Sequence, residues 1–215
     1  AAVIYSNPNN PSWICFNDEE LETIGRLAQQ YDVLVIEDLA YFAMDFRHDY
    51  GKPFQPPYQP SVAKYCDNYV LLFSSSKLFS YAGQRVAVMA IADKQFHRQY
   101  DALKQRYGIG EFGHVMVQRI LYTLSAGASH SAQLALAAML KASSDGKYDF
   151  IDSVREYGDR AKAMKRIFLD HGFEITYPLD LETPIADGFY FTVNYPGMTA
   201  VETQYELLRF GISAI

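Results

Sequence analysis

The chain has 215 residues, of which 49% are hydrophobic and 20% are charged, the balance of an ordinary globular protein, which argues against a disordered, collagen-like or coiled-coil chain. Acidic residues outnumber basic ones by 25 to 19, giving a formal charge of −6, whereas a nucleic-acid partner would call for a basic field. The two cysteines, Cys15 and Cys66, form no CxxC pair, which favours a reducing cytoplasm and argues against a zinc site.

The first half of the chain predicts alternating strands and helices. Residues 1–6 form an apolar strand, and Asn17 followed by Glu20 gives the capping-box pattern that begins a helix. Three more strands are predicted, at 33–37, 69–73 and 86–92, with a proline-rich loop at 47–60. This order is typical of an α/β fold built on a mostly parallel sheet.

The second half begins with a helical region and ends in a smaller unit. Helices are predicted at 111–124, 131–141 and 149–171, and two half-exposed strands at 173–177 and 188–194. A last helix at Ala200–Arg209 is followed by an apolar strand at 210–215. Because neither end carries the polar residues common at domain termini, we expect a fragment of a longer protein.

Polar clusters lie next to the predicted strands, at residues 7–12, 38–41, 74–77 and 83–85. The first three follow the carboxyl ends of strands, where α/β sheets bind ligands. Each cluster alone also fits ordinary structure, such as a turn for the Asn/Pro stretch, a loop cap for Asp38 or a solvated loop for the serines. Their joint occurrence in this order is the stronger observation.

Together these clusters resemble the motifs of the class I/II aminotransferases, the fold-type-I enzymes that use pyridoxal 5′-phosphate (PLP). The family pattern is N-P-x-N-P-[TS], then D-x-A-Y, then S-x-S-K, with an arginine eight residues after the lysine and a glycine two before that arginine. The chain carries each of these, ending in Gly83 and Arg85, and the similarity extends through nearly its whole length.

The resemblance implies a fold and a division into domains. The α/β large domain of a PLP-dependent transferase would occupy 1–148, with its N-terminal part missing. An interdomain helix would follow at 149–172, and part of a smaller α+β domain at 173–215. The family's phosphate-binding loop and ring-stacking aromatic residue would precede Ala1, and the arginine that binds the substrate carboxylate would follow Ile215.

The resemblance also assigns seven residues to the cofactor site: Asn10, Asp38, Tyr41, Ser74, Ser76, Lys77 and Arg85. Lys77 is implied as the catalytic residue, because a lysine amine beside a cationic ring can lose its proton and form a Schiff base with the PLP aldehyde. It would later move the proton between substrate and cofactor. Asp38 would keep the ring nitrogen protonated, so that the ring works as an electron sink.

The remaining assignments concern the ring oxygen and the phosphate. Asn10 and Tyr41 match the residues that hydrogen-bond the 3′-oxygen of PLP. Ser74 matches a hydroxyl donor to the phosphate, and Arg85 matches a two-pronged, charge-assisted contact. Ser76 also fits the phosphate motif.

Two positions depart from the family pattern, since Trp13 and Ala87 stand where glycine is usual. Both adjoin the predicted site, so the local loop shape is where a difference is expected.

Residues 189–191 match a strand that faces substrate in the family, although packing explains these aromatic residues equally well. Residues 125–133 resemble the segment that approaches the partner subunit in family dimers, which implies a homodimer, and they also fit a small-residue loop before a helix.

The first interpretation of function is an aminotransferase that moves an amino group between an amino acid and a 2-oxo acid through Lys77. A PLP-dependent β-lyase or decarboxylase and a non-catalytic PLP-binding domain stay open, because the motifs bind the cofactor without choosing the reaction. A phosphate-loop NTPase is disfavoured, since the Gly-Lys-Ser/Thr signature is lacking and Lys77 is predicted to precede a strand rather than open a helix. The histidines lack metal-ligand spacing, and apolar runs fall short of the roughly 18 residues of a membrane helix, so neither a metal nor a membrane is expected.

Overall fold

A four-stranded sheet organises the first half of the chain in the computed structural model, which describes residues 1–185 and 188–215. Its strands are β1 (Ala2–Ser6), β2 (Leu34–Asp38), β3 (Tyr69–Ser74) and β4 (Ala87–Ile91). They lie in the order β1-β2-β3-β4, with the first three parallel and β4 antiparallel to β3. The prediction of a mostly parallel sheet is confirmed.

The first helix, α1, covers Asp18–Gln30, and the capping box predicted from sequence is present at its start. The Asn17 side chain accepts a hydrogen bond from the Glu20 backbone at 2.9 Å, and the Glu20 carboxylate accepts one from the Asn17 backbone at 2.9 Å. These two bonds satisfy N–H groups that would otherwise lack a partner at the helix start. Residues 47–60 contain neither helix nor strand, as the proline-rich sequence predicts.

The other α-helices are α2 (Ser75–Leu78), α3 (Asp93–Phe96), α4 (Asp101–Tyr107), α5 (Phe112–His114), α6 (Tyr122–Ser125), α7 (His130–Ser144), α8 (Phe150–Asp170) and α9 (Ala200–Arg209). A π-helical turn, Val115–Leu121, joins α5 to α6, so the predicted helix at 111–124 is continuous but not uniformly α-helical. The long helix α8 starts where predicted, because the Asp149 side chain accepts a hydrogen bond from the Asp152 backbone at 3.0 Å. None of the described helices combines the length and apolar character needed to cross a bilayer.

The C-terminal residues form shorter strands than the sequence predicts. β5 (Glu174–Ile175) pairs with β8 (Val193–Asn194), and β6 (Leu179–Asp180) pairs with β7 (Thr183–Pro184), all antiparallel. The strand predicted at 188–194 therefore survives only as β8.

The strand predicted at 210–215 is wrong. Gly211 takes a left-handed φ of 78°, and its backbone N–H donates to Leu208 at 3.0 Å. The N–H of Ile212 donates to Leu207 at 3.0 Å. These two bonds form a Schellman motif, so the residues after α9 close the helix instead of extending into a strand.

Two buried apolar clusters pack against the sheet and against the residues that follow its strands. One lies beneath α1 and includes Leu21, Val35 and Leu71. The other joins the residues after β2 to α8 and includes Trp13, Tyr41, Met44, Leu78, Ile151 and Val154. Tyr41 and Leu78 belong to this second cluster, and Leu78 is the chain neighbour of Lys77. The same core therefore holds Tyr41 and the helical turn that carries Lys77.

Candidate active site

The carboxyl ends of β1, β2 and β3 lie side by side, which brings three predicted clusters to one edge. In the parallel register, Ser6 is opposite Asp38 and Asp38 is opposite Leu72. The Asn7 backbone N–H donates to Asp38 at 3.0 Å, and the Leu39 N–H donates to Leu72 at 2.8 Å. The backbone itself therefore fixes the starting point of each polar cluster.

Asp38 ends β2 and is half-buried. Its Oδ1 accepts a hydrogen bond from the Ala40 backbone at 3.0 Å. This is the loop-capping role expected of an aspartate at a strand end. No hydrogen bond to Oδ2 is found within residues 1–185 and 188–215, so one carboxylate oxygen is left for a ligand.

Asn10 and Tyr41 meet, as the resemblance implies. The Asn10 amide Nδ2 donates to the Tyr41 hydroxyl at 3.4 Å, and that hydroxyl donates to the hydroxyl of Tyr190 at 2.7 Å. Asn10 itself is exposed, whereas Tyr41 is buried. The three side chains form a hydrogen-bonded chain from the loop after β1 to the C-terminal region.

Ser74 ends β3 and caps the short helix α2, in which Lys77 lies. The Ser74 hydroxyl accepts a hydrogen bond from the Ser76 backbone at 3.1 Å. Buried Ser75 donates its hydroxyl proton to the Val86 carbonyl at 2.5 Å, which ties α2 to the residue before β4. Lys77 precedes the predicted strand, which is β4, but it lies within a helical turn that the serine cap starts and that the sequence does not predict.

The Lys77 ammonium lies over an aromatic ring. Its Nζ is 5.1 Å from the centroid of Phe189, the distance of a cation–π contact. The Phe189 ring in turn contacts the Tyr41 ring at a centroid distance of 6.1 Å. One aromatic side chain thus connects the predicted lysine to the predicted tyrosine.

Arg85 stays apart from the other predicted residues in this structure. It is exposed, adopts a left-handed φ of 53°, and donates from Nη1 to the Ala82 carbonyl at 2.9 Å. Since Ser74 pairs with Ala87 in the antiparallel register, Arg85 nevertheless lies beside the start of α2. Its remaining guanidinium N–H groups are suited to an anion at that position.

Trp13 occupies the loop after β1 with a φ of 62°, a conformation that favours glycine. Its indole is 2% exposed, contacts the Tyr41 ring at 5.0 Å and donates from Nε1 to the Met44 carbonyl at 3.2 Å. The loop therefore keeps the glycine-like backbone despite the larger residue. The indole packs edge-to-face against the Tyr41 ring.

Burial and the hydrogen bond to Tyr190 raise the pKa of Tyr41 above its usual range, in that order of size. The phenol of Tyr41 is consequently protonated at neutral pH and acts as a hydrogen-bond donor. No group of three or more His, Cys, Asp or Glu side chains suited to a metal is found in the described part of the chain.

Residues 1–209 match the protein family described as aminotransferase class I and II. The chain belongs to this family. The resemblance stated from the sequence motifs is thereby confirmed, and so is its implied α/β fold class.

Several known proteins are similar to parts of the chain or to its fold. Over 118 residues, the chain is 32% identical to the glutamate-pyruvate aminotransferase AlaC of Escherichia coli K12, covering 55% of this chain and 27% of AlaC. YbdL of Escherichia coli, for which a methionine aminotransferase function is described, superposes with a TM-score of 0.67 at 18% identity, covering 100% of this chain and 48% of YbdL. The PLP-bound C-S lyase of Staphylococcus hominis superposes with a TM-score of 0.54 at 19% identity, covering 99% and 44%. The two structural matches show the shared fold alone.

The chain spans less than half the length of each of these three proteins. Sequence reasoning identified the polar side chains at the sheet edge of this family member, but it missed what Trp13, Phe189 and Tyr190 do there. Trp13 was visible as a departure from the family pattern. The contact of Tyr190 with Tyr41 spans 149 residues, and no local pattern signals it.

Proposed function

We propose that the complete protein containing this chain is a PLP-dependent aminotransferase that moves an amino group between an amino acid and a 2-oxo acid. The observation that carries the proposal is the gathering of Asn10, Asp38, Tyr41 and Lys77 at one sheet edge in a chain of this family. The chemical class of each side chain fits a different part of PLP.

The donor set supports PLP as the cofactor. Lys77 supplies a primary amine, and Asp38 supplies a carboxylate oxygen without another described partner. Tyr41, joined to Asn10, supplies a neutral phenol for a ring oxygen. Bound PLP supplies an electron sink that stabilises negative charge at the substrate α-carbon.

The phosphate would be held at the junction of β3, α2 and β4. Ser74 and Ser76 supply hydroxyl groups there, and Arg85 supplies a cation. A guanidinium binds a phosphate through two parallel, charge-assisted hydrogen bonds. In the present structure the Arg85 Nη1 donates to the Ala82 carbonyl, and the other guanidinium N–H groups would serve the phosphate.

The first test is to incubate the complete gene product with PLP, reduce it with borohydride, and map the modified peptide by mass spectrometry. We expect a phosphopyridoxyl group on Lys77 and none in Lys77→Ala, which should also lose transamination. Lys94→Ala is the matched control, because Lys94 is an exposed lysine ion-paired with Asp67 at 3.6 Å. Transamination that persists in Lys77→Ala would refute the proposal.

A β-lyase is the second reaction to test, because the cofactor motifs do not choose the reaction and a PLP-bound C-S lyase, that of Staphylococcus hominis, has the same fold. Product analysis separates the two reactions. Release of pyruvate and ammonia without an added 2-oxo acid supports the lyase, whereas amino transfer only with an acceptor supports the aminotransferase. A decarboxylase would release carbon dioxide, and a PLP-binding domain without activity would give an adduct on Lys77 and no product.

We further propose that the complete protein is a homodimer. Exposed apolar side chains concentrate near the predicted partner segment 125–133, with Leu124 80% and Leu134 60% exposed. An apolar surface of this kind is typical of a subunit interface. Light scattering of the complete gene product measures the assembly directly.

The proposed location is the cytoplasm, since Cys15 and Cys66 are both buried free thiols.

The proposed division into a large domain at 1–148, a connecting helix at 149–172 and a partial small domain at 173–215 follows the change from the four-stranded sheet to the two-residue strands. α8 fills most of the connecting span. Residues 186 and 187 of the small domain lie outside the described residues.

A further inference from the structure

The hydroxyl of Tyr41 has a partner that the family motifs do not include. The hydroxyl oxygen of Tyr190, 149 residues further along the chain, accepts a hydrogen bond from the Tyr41 hydroxyl at 2.7 Å. The length is typical of a strong O–H···O hydrogen bond. The contact brings the C-terminal region to the polar group proposed to meet the cofactor.

A phenol has one proton to donate, and the partners of Tyr41 determine where it goes. The Asn10 amide donates to the Tyr41 oxygen, so Asn10 cannot accept the proton. In this structure the proton is directed to Tyr190. Any other acceptor that approaches Tyr41 must compete with the Tyr190 oxygen for it.

We propose that Tyr190 is a positioning residue that competes with the cofactor for the hydroxyl proton of Tyr41. The inference rests on the proposed function, because the competing acceptor is the ring oxygen of PLP. Tyr190 would weaken the hydrogen bond from Tyr41 to that oxygen and so adjust the acidity of the bound cofactor.

Packing holds Tyr190 in this place. Its ring contacts those of Tyr41 at 5.6 Å, Phe189 at 5.5 Å and Trp13 at 6.2 Å, all edge-to-face. Gly188 lets the segment approach, since a Cβ atom there would lie 1.8 Å from the Trp13 indole. The large residue at position 13 and the small one at 188 are complementary.

Few charged or titratable groups face the Tyr41 hydroxyl. Asp38, at the end of β2, acts on this hydroxyl electrostatically, and Tyr190 accepts a hydrogen bond from it. The Lys77 Nζ lies against the Phe189 ring, 5.1 Å from its centroid. Because burial raises the pKa of Tyr41, the proton stays on this phenol over the neutral range and remains available to either acceptor.

The test uses Tyr190→Phe in the PLP-loaded complete gene product, with the visible absorption of the bound cofactor titrated against pH. A donor to the ring oxygen stabilises the form in which that oxygen is negative, and thus lowers the midpoint of the titration. Removing the competing acceptor should lower the midpoint further, by about 0.5 to 1 pH unit, the equivalent of one modest hydrogen bond. Tyr41→Phe should raise it, and the double variant should match Tyr41→Phe alone.

Tyr157→Phe is the matched control. Tyr157 packs against Phe189 at 5.0 Å in the same aromatic group but makes no hydrogen bond to Tyr41 among the described residues, so its midpoint should equal that of the unmodified protein. A midpoint that is unchanged or raised in Tyr190→Phe overturns the inference and leaves the proposed function intact. If the unmodified protein shows no cofactor absorption at all, the proposed function fails and this inference fails with it.

Discussion

Two regions meet at the candidate site, and different forces hold them. The sheet edge is fixed by backbone hydrogen bonds between neighbouring strands, such as that from Asn7 to Asp38 at 3.0 Å. Residues 188–191, which we term the aromatic segment, lie outside any strand and reach the site through side chains alone. The strand register determines the position of the first region, whereas packing complementarity determines the position of the second.

The largest effect is expected where that complementarity is tightest. Gly188→Ala places a Cβ 1.8 Å from the Trp13 indole, and a ring locked in a core cannot easily retreat. We expect unfolding free energy to fall by about 1 to 3 kcal/mol, the usual cost of overpacking. A denaturant titration of the complete gene product measures this loss.

Gly83→Ala is the control for that prediction, because a Cβ at position 83 meets no atom within 4 Å. It should leave the unfolding free energy nearly unchanged. If the two alanine variants prove equally stable, the aromatic segment is not seated against Trp13, and the comparison between the two regions breaks down.

A smaller effect is expected in the sheet, where Glu37 is fully buried in β2. One carboxylate oxygen accepts hydrogen bonds from the Ser61 hydroxyl at 2.6 Å and the Val62 backbone at 3.1 Å. The other oxygen and the nearby Tyr5 hydroxyl are buried without a hydrogen-bond partner among the described atoms. Burial raises the pKa of Glu37, which means that ionising it costs stability.

The sign of the pH dependence follows from that raised pKa. The folded state holds the Glu37 proton more tightly than the unfolded state does, so the protein loses stability as the pH rises past the unfolded pKa. Glu37→Gln removes this loss and offers an N–H to Tyr5. We expect the variant to gain stability relative to the unmodified protein as the pH rises from about 4, near the pKa of an unfolded glutamate.

Thermal unfolding across that pH range checks the prediction, with Glu22→Gln, on the exposed face of α1, as the control. The control should show no comparable trend. A Glu37→Gln variant that loses stability at high pH would mean that the surrounding donors hold the carboxylate as an ion and that burial does not raise its pKa.

The same contrast explains what the sequence could reveal. Patterns that span only a few residues predict the strands, the Asn17 capping box and the polar residues at 38–41 and 74–77. The parallel register of β1, β2 and β3 then brings these polar residues to one edge of the sheet. The strand predicted at 210–215 is wrong, since Gly211 closes α9 although the residues around it are apolar. Two-residue strands such as β6 leave too little periodicity to detect.

The aromatic segment lay beyond such patterns for another reason. Its role depends on contacts between residues far apart in the chain, of which the bond between Tyr41 and Tyr190 is the clearest. Phe189 looked equally suited to core packing or to the site. Only the fold shows that its ring packs against Tyr157 and also lies next to the Lys77 amine.

The smallest effect tests that last contact in the PLP-free protein. Phe189→Leu removes the ring face beneath the Lys77 ammonium, and a cation–π contact contributes at least about 0.5 to 1 kcal/mol. Reductive methylation of Lys77, followed by mass spectrometry, should therefore be about two- to fivefold faster in the variant. Lys94 serves as an internal reference, and Phe189→Tyr, which keeps a ring, should behave like the unmodified protein. Equal methylation rates for Phe189→Leu and Phe189→Tyr would show that the aromatic segment contacts Tyr41 but does not restrain Lys77. The hydrogen bond between Tyr41 and Tyr190 would then be the contact that joins the two regions.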